Sequence, residues 1–129
     1  MDLQGKHVVV VGLGQSGIAA VRLATAHGAR VTATDAALLD ELSQEVQELD
    51  AVLVCGTHEG VPFQQADLIV VSPGVPRLAE LDRAERAGVG VIGELELALR
   101  FTSAPGVSVG GTNGKSTTTT LLGDLLAAA

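Results

Sequence analysis

His7-Val8-Val9-Val10-Val11-Gly12-Leu13-Gly14-Gln15-Ser16-Gly17 decides the fold. Val8 to Val11 is an unbroken β-branched run, the pattern of a strand covered on both faces in a parallel sheet. Gly12, Gly14 and Gly17 then fit G-x-G-x-x-G. One glycine makes the tight turn, one lets a diphosphate approach the backbone, and one lets the following helix pack on the strand. Ile18, Val21 and Ala24 follow on one helical face, and His27-Gly28 offers a stop. Taken alone, the motif points to a dinucleotide such as NAD. A strand-to-helix turn without a ligand would use the same glycines.

Outward from this stretch, strands and helices alternate. Residues 30–34 read as a second strand, ended by Asp35. Residues 38–49 carry mixed signals that suggest a short helix. Residues 51–54 form a third strand, and a polar loop runs to Gln65. Residues 67–71 form a fourth strand, closed by Ser72-Pro73-Gly74. Leu78, Leu81 and Ala84 mark the next helix, stopped at Gly88. A short fifth strand spans 89–92, and 94–101 is helical. Such alternation predicts an α/β fold, a Rossmann-like parallel sheet with helices on both faces. Residues 1–103 complete it, and Ser103-Ala104-Pro105-Gly106 reads as a linker.

A second glycine loop follows. Gly111-Thr112-Asn113-Gly114-Lys115-Ser116-Thr117 lies between the apolar run Val107-Ser108-Val109 and a helix-like run from Leu121 to Leu126. Strand, glycine loop and helix in that order make a P-loop. Backbone N–H groups would face phosphate oxygens, Lys115 would add charge on the terminal phosphates, and the Ser116 hydroxyl would coordinate Mg²⁺. The general pattern wants glycine where Val109 stands, so this loop is a shortened variant. A glycine turn capping a helix, with Lys115 and Ser116 as surface residues, is the plainer alternative. Residues 104–129 are expected to begin a second, ATP-binding domain, of which only strand, loop and helix are present.

Composition narrows the function. The chain has 129 residues, 47% of them hydrophobic and 18% charged, which suits one domain with a core. The net charge of −7 argues against a nucleic-acid partner, and 2% aromatic content, with no Trp or Tyr, against a base-stacking platform. Anionic ligands must then be held locally, by backbone amides and a few placed cations. Cys55 is alone, which fits a reducing compartment. There is no signal-peptide core, and no apolar run reaches the roughly 18 residues that span a bilayer, so a cytoplasmic protein without membrane partners is expected. His7, His27 and His58 lack ligand spacing. Cys55 reads as a buried apolar residue. Glu94 and Glu96 read as helix-surface charges, and Arg77 either meets an anion or is solvated.

In a doubly wound sheet the first and fourth strands flank the switch point, so the loops after strands one, two and four face one crevice. A nucleotide diphosphate would fit it, with the base near Asp35 and the diphosphate over Gln15, Ser16 and Gly17. Asp35 offers acceptors only, and suits a uracil N3–H or a ribose hydroxyl alike.

These elements in this order resemble the Mur ligases, the ATP-dependent amide ligases of peptidoglycan synthesis. The segments that carry the likeness are 12–17, 67–76, 93–97 and 111–117. The last is shared with folate ligases, and Ser72-Pro73-Gly74-Val75-Pro76 is similar to the D-glutamate-adding branch. The resemblance implies that the first domain binds the UDP part of UDP-N-acetylmuramoyl-L-alanine, not NAD. It implies that Gly14, Gln15, Ser16 and Gly17 meet the phosphate and sugar region, that Asp35 faces uracil, and that Ser72 and Gly74 line the cleft. Gly111, Thr112, Asn113, Gly114, Lys115, Ser116 and Thr117 would hold ATP, with Ser116 on Mg²⁺ and Lys115 and Ser116 as catalytic groups. Two departures from the family's usual residues stand out: Gly110 replaces a Thr before the second loop, and Ala36-Ala37 after Asp35 thin the expected uracil contacts. The rest of the implied machinery, a central-domain lysine, acidic Mg²⁺ ligands and a third domain, lies outside these residues. A monomeric full-length enzyme is implied, and this piece alone is expected to be inactive. Apolar pairs Leu121/Leu125 and Leu122/Leu126 predict exposed apolar surface or self-association. The rivals are another Mur or folate-type ligase and a non-catalytic NAD-binding domain.

Overall fold

A computed structural model describes all 129 residues. Five strands form one parallel sheet: β1 (His7–Val11), β2 (Arg30–Asp35), β3 (Val52–Cys55), β4 (Leu68–Val71) and β5 (Gly90–Gly93). Their order is β3-β2-β1-β4-β5. β1 is central, with Val11 opposite Thr34 on one side and Val71 on the other. Val8, Val9, Val10 and Val11 are all completely buried, as their unbroken apolar run requires.

The two sheet faces are covered unequally. Val8, Val10, Val31, Ala33 and Val70 pack under α1 (Gln15–Ala26), the one-turn α2 (Gln44–Gln47) and α4 (Glu94–Arg100). Val9, Val11 and Ile69 pack under α3 (Ala79–Arg86) and a short 3₁₀ turn, Phe63–Gln65. The expected polar loop after β3 is thus partly core, because Val61 and Phe63 are buried beneath the sheet. The mixed segment 38–49 resolves into a 3₁₀ turn, Leu39–Glu41, and α2. Helices α1 and α3 stop where glycine permits a left-handed residue, at Gly28 (φ +79°) and Gly88 (φ +88°).

One expectation fails. Val107-Ser108-Val109 is not a strand, and Val107 is 70% exposed. A strand is stabilised by a ladder partner, and every strand of the sheet pairs only within the 3-2-1-4-5 order. The second glycine loop therefore leads into a helix without a strand before it. That helix, α5 (Lys115–Ala128), has no buried residue. Leu121, Leu125 and Leu126 are 59%, 69% and 64% exposed, so the expected apolar surface is present.

Candidate functional site

The first glycine loop is welded into the sheet. Gly12 sits at φ +88°, a value that favours glycine, and its N–H donates to the Thr34 carbonyl at 2.8 Å. A Cβ on Gly17 would stand 1.8 Å from the Gly12 carbonyl oxygen. Only glycine lets α1 start this close to β1. The Ser72 hydroxyl, buried between the two loops, donates to the same Gly12 oxygen at 2.9 Å. The loops after β1 and β4 are thereby tied across the switch point.

Asp35 is tied in as well. Its Oδ2 accepts the Leu13 N–H at 2.6 Å, and its Oδ1 accepts the Ala37 N–H at 2.9 Å. Each oxygen keeps a free lone pair, so the carboxylate can still receive a donor from a ligand. Its first effect is to fix the loop after β1 against the loop after β2. Burial, and then the neighbouring Asp35 carboxylate, push the Cys55 thiol above its ordinary range. A thiol kept protonated is a poor nucleophile.

No protein acceptor takes the N–H groups of Gly14, Gln15, Ser16 or Gly17. Four donors at the start of a 12-residue helix carry the positive end of its dipole. Those of Gly14, Gln15 and Ser16 open on a cavity of about 550 Å³. The structure brings Gly14, Gln15, Ser16, Asp35, Ser72 and Gly74 together around it, whereas Gly17 sits behind, as packing. One wall residue, His58, was missed. A lone histidine carries little signal, but the C-terminal ends of parallel strands share one edge, and His58 comes three residues after β3 ends. Arg77 is not at this cavity. It pairs with Asp82 and Glu85 of α3, at 2.6 and 3.4 Å. Glu96 pairs with Arg100 along the surface of α4.

The second loop, 111–117, lies apart from the cavity. Gly114 is left-handed (φ +78°) and leads into α5, whose first N–H groups at Lys115, Ser116 and Thr117 have no protein acceptor. The side chains of Lys115 and Ser116 are exposed and make no hydrogen bond or ion pair.

Sheet order, glycine loop and crevice define a Rossmann-like domain with its ligand-sized cleft at the switch point. The model of the MurD-like N-terminal domain of Mur ligases matches residues 6–93. The chain belongs to that family. It is 49% identical, over 99% of its length, to the UDP-N-acetylmuramoylalanine–D-glutamate ligase of Desulfosudis oleivorans. It is 50% identical over 99% to the ligase of the same name from Trichlorobacter lovleyi. The chain spans 29% and 30% of those two curated relatives. Among solved structures, a pseudomurein peptide ligase type C from Methanothermus fervidus superposes with a TM-score of 0.58 at 25% identity, over 96% of this chain and 26% of that one. No helix is long and apolar enough to cross a membrane.

Proposed function

We propose that this chain holds the nucleotide-linked acceptor of a cytoplasmic ligase that adds D-glutamate to UDP-N-acetylmuramoyl-L-alanine at the expense of ATP. The observation that carries the reading is the cavity at the switch point. Free N–H groups of Gly14, Gln15 and Ser16 suit a diphosphate, Asp35 suits a nucleoside donor, and Gly74 leaves room for the sugar beyond. The names of the relatives support the same substrate.

The second loop suits ATP and Mg²⁺ by its donor chemistry. Its helix N-terminus is open, Ser116 Oγ is free to coordinate a cation, and Lys115 has no competing acid. Mg²⁺ would supply charge neutralisation on the phosphates. In the proposed reaction a carboxylate oxygen of the acceptor's L-alanyl group attacks the γ-phosphorus, and the bond to the β–γ bridging oxygen breaks, giving ADP and an acyl phosphate. The D-glutamate amine then attacks the acyl carbon, loses a proton, and displaces inorganic phosphate. Lys115 neutralises charge that develops on the transferred group. The relatives are over three times longer than this chain, so these residues bind substrates and do not complete the reaction. We expect no ADP formation dependent on D-glutamate from residues 1–129 alone, in a coupled assay.

Titration calorimetry with UDP and with NAD tests the main reading. Heat of binding for UDP and none for NAD supports it. Binding of NAD and not UDP replaces it with a dinucleotide-binding domain, which the Asp35 carboxylate at the end of β2 would also suit.

A further inference from the structure

The cavity at the switch point contains no lysine or arginine. Of its lining residues only Asp35 and His58 can carry charge. A diphosphate brought here meets a carboxylate at one end and partial positive charge from the α1 N–H groups. His58 is the only lining side chain that can offer a full positive charge.

Its setting is built for that role. His58 Nδ1 lies 2.8 Å from Thr34 Oγ1, and Thr34 is completely buried in the central part of the sheet. Thr34 Oγ1 also reaches the Thr57 carbonyl, at 3.4 Å. A hydroxyl has one proton, and a carbonyl can only accept. With Thr34 O–H given to Thr57, its oxygen accepts Nδ1–H. The ring is then anchored through one nitrogen, and Nε2 has no protein partner. The Phe63 ring meets the imidazole edge-on, at 6.5 Å between centroids, and steadies the loop from below.

We propose that His58 is a phosphate-binding residue of this cavity. The relay from His58 Nδ1–H through Thr34 to the Thr57 carbonyl positions the imidazolium, and Nε2–H donates to a phosphate oxygen of the bound nucleotide. This rests on the reading of the cavity as a nucleoside-diphosphate site. It adds a recognition element from the loop after β3.

The test compares UDP, UMP and uridine on the 129-residue chain, by calorimetry and by NMR titration of the ¹⁵N-labelled protein, which reaches weak uridine binding. Parent, His58→Ala, His58→Gln and Thr34→Val are compared, each checked for its fold by circular dichroism. His58→Ala should weaken UDP about tenfold, the scale of one lost charge-assisted hydrogen bond, and uridine by less than about twofold. His58→Gln, a neutral donor, should fall between parent and alanine. Thr34→Val keeps the His58 side chain but removes the partner of its Nδ1, and should weaken UDP more than uridine. Equal losses for UDP and uridine would assign His58 to the nucleoside and overturn the proposal, as would UDP binding unchanged in His58→Ala. A parent chain that binds no UDP would remove the nucleotide reading itself, and this proposal with it.

Discussion

The two glycine loops start alike and end differently. Each leads into a helix whose first N–H groups lack protein acceptors. The first is walled on three sides, by the Thr34 carbonyl and Asp35 from β2, by Ser72 from the loop after β4, and by α1 itself, with no room for a Cβ at Gly17. The second has nothing within 4 Å of an added Cβ at Gly110 or Gly114, and its helix buries no residue. A glycine motif names a backbone shape. Pre-organisation, which makes that shape a binding site at low entropic cost, comes from the neighbouring strands. The difference lies in packing, and substitutions at matched positions can measure it.

Gly17→Ala should have the largest effect. The new methyl would overlap the Gly12 carbonyl, a backbone atom that cannot swing away as a side chain could. Overpacking of this kind should cost about 3 kcal/mol or more, read as a lower midpoint in urea denaturation. A midpoint equal to that of the parent would mean α1 is free to move off β1, and the contrast between the loops would collapse. Asp35→Ala comes next. It leaves the Leu13 and Ala37 N–H groups without their carboxylate, at about 2 kcal/mol given partial exposure to water. Asp35→Asn, which keeps one acceptor oxygen, should lose less. If Asp35→Ala unfolds with the parent but loses UDP, Asp35 serves the ligand alone and not the loop.

Much of this was legible beforehand, for physical reasons that differ by segment. Val8 to Val11 announces a central strand because burial on both faces suppresses the alternation of an ordinary strand. Gly12 and Gly17 announce the turn because a side chain fits at neither, the first for its left-handed backbone and the second for lack of space. The loop after β3 was opaque, since Val61 and Phe63 look like stray apolar residues until α3 is seen covering the same sheet face. The placing of Asp35 at the cavity could be inferred from strand order. Its two backbone hydrogen bonds could not, because they depend on how closely two loops approach. Val107 and Val109 misled for a related reason. A β-branched pair states a preference for extended backbone, but pairing needs a partner edge, and tertiary context outweighs propensity.

Ser72→Ala should be milder than either change above. It leaves the buried Gly12 carbonyl without its donor and makes little empty space, at about 1 kcal/mol. UDP binding should weaken with it, since the loop after β4 is then free to drift from the glycine turn. Retained stability with unchanged UDP affinity would show that the cross-loop bond is dispensable and that the contacts from β2, the Thr34 carbonyl and Asp35, hold the first loop.

Gly114→Ala sets the lower limit of the comparison. The left-handed backbone at φ +78° disfavours a side chain by about 1–2 kcal/mol, much as at Gly12. That strain can reach the global unfolding transition only through contacts between α5 and the sheet, and no residue of α5 is buried. The expected outcome is an unchanged denaturation midpoint together with faster amide hydrogen exchange in the first turn of α5. UDP affinity should also be unaffected, because the cavity lining comes entirely from residues 11–78. A midpoint lowered as far as in Ser72→Ala would mean that the second loop packs on the first domain in solution. The two loops would then differ in degree of support and no longer in kind.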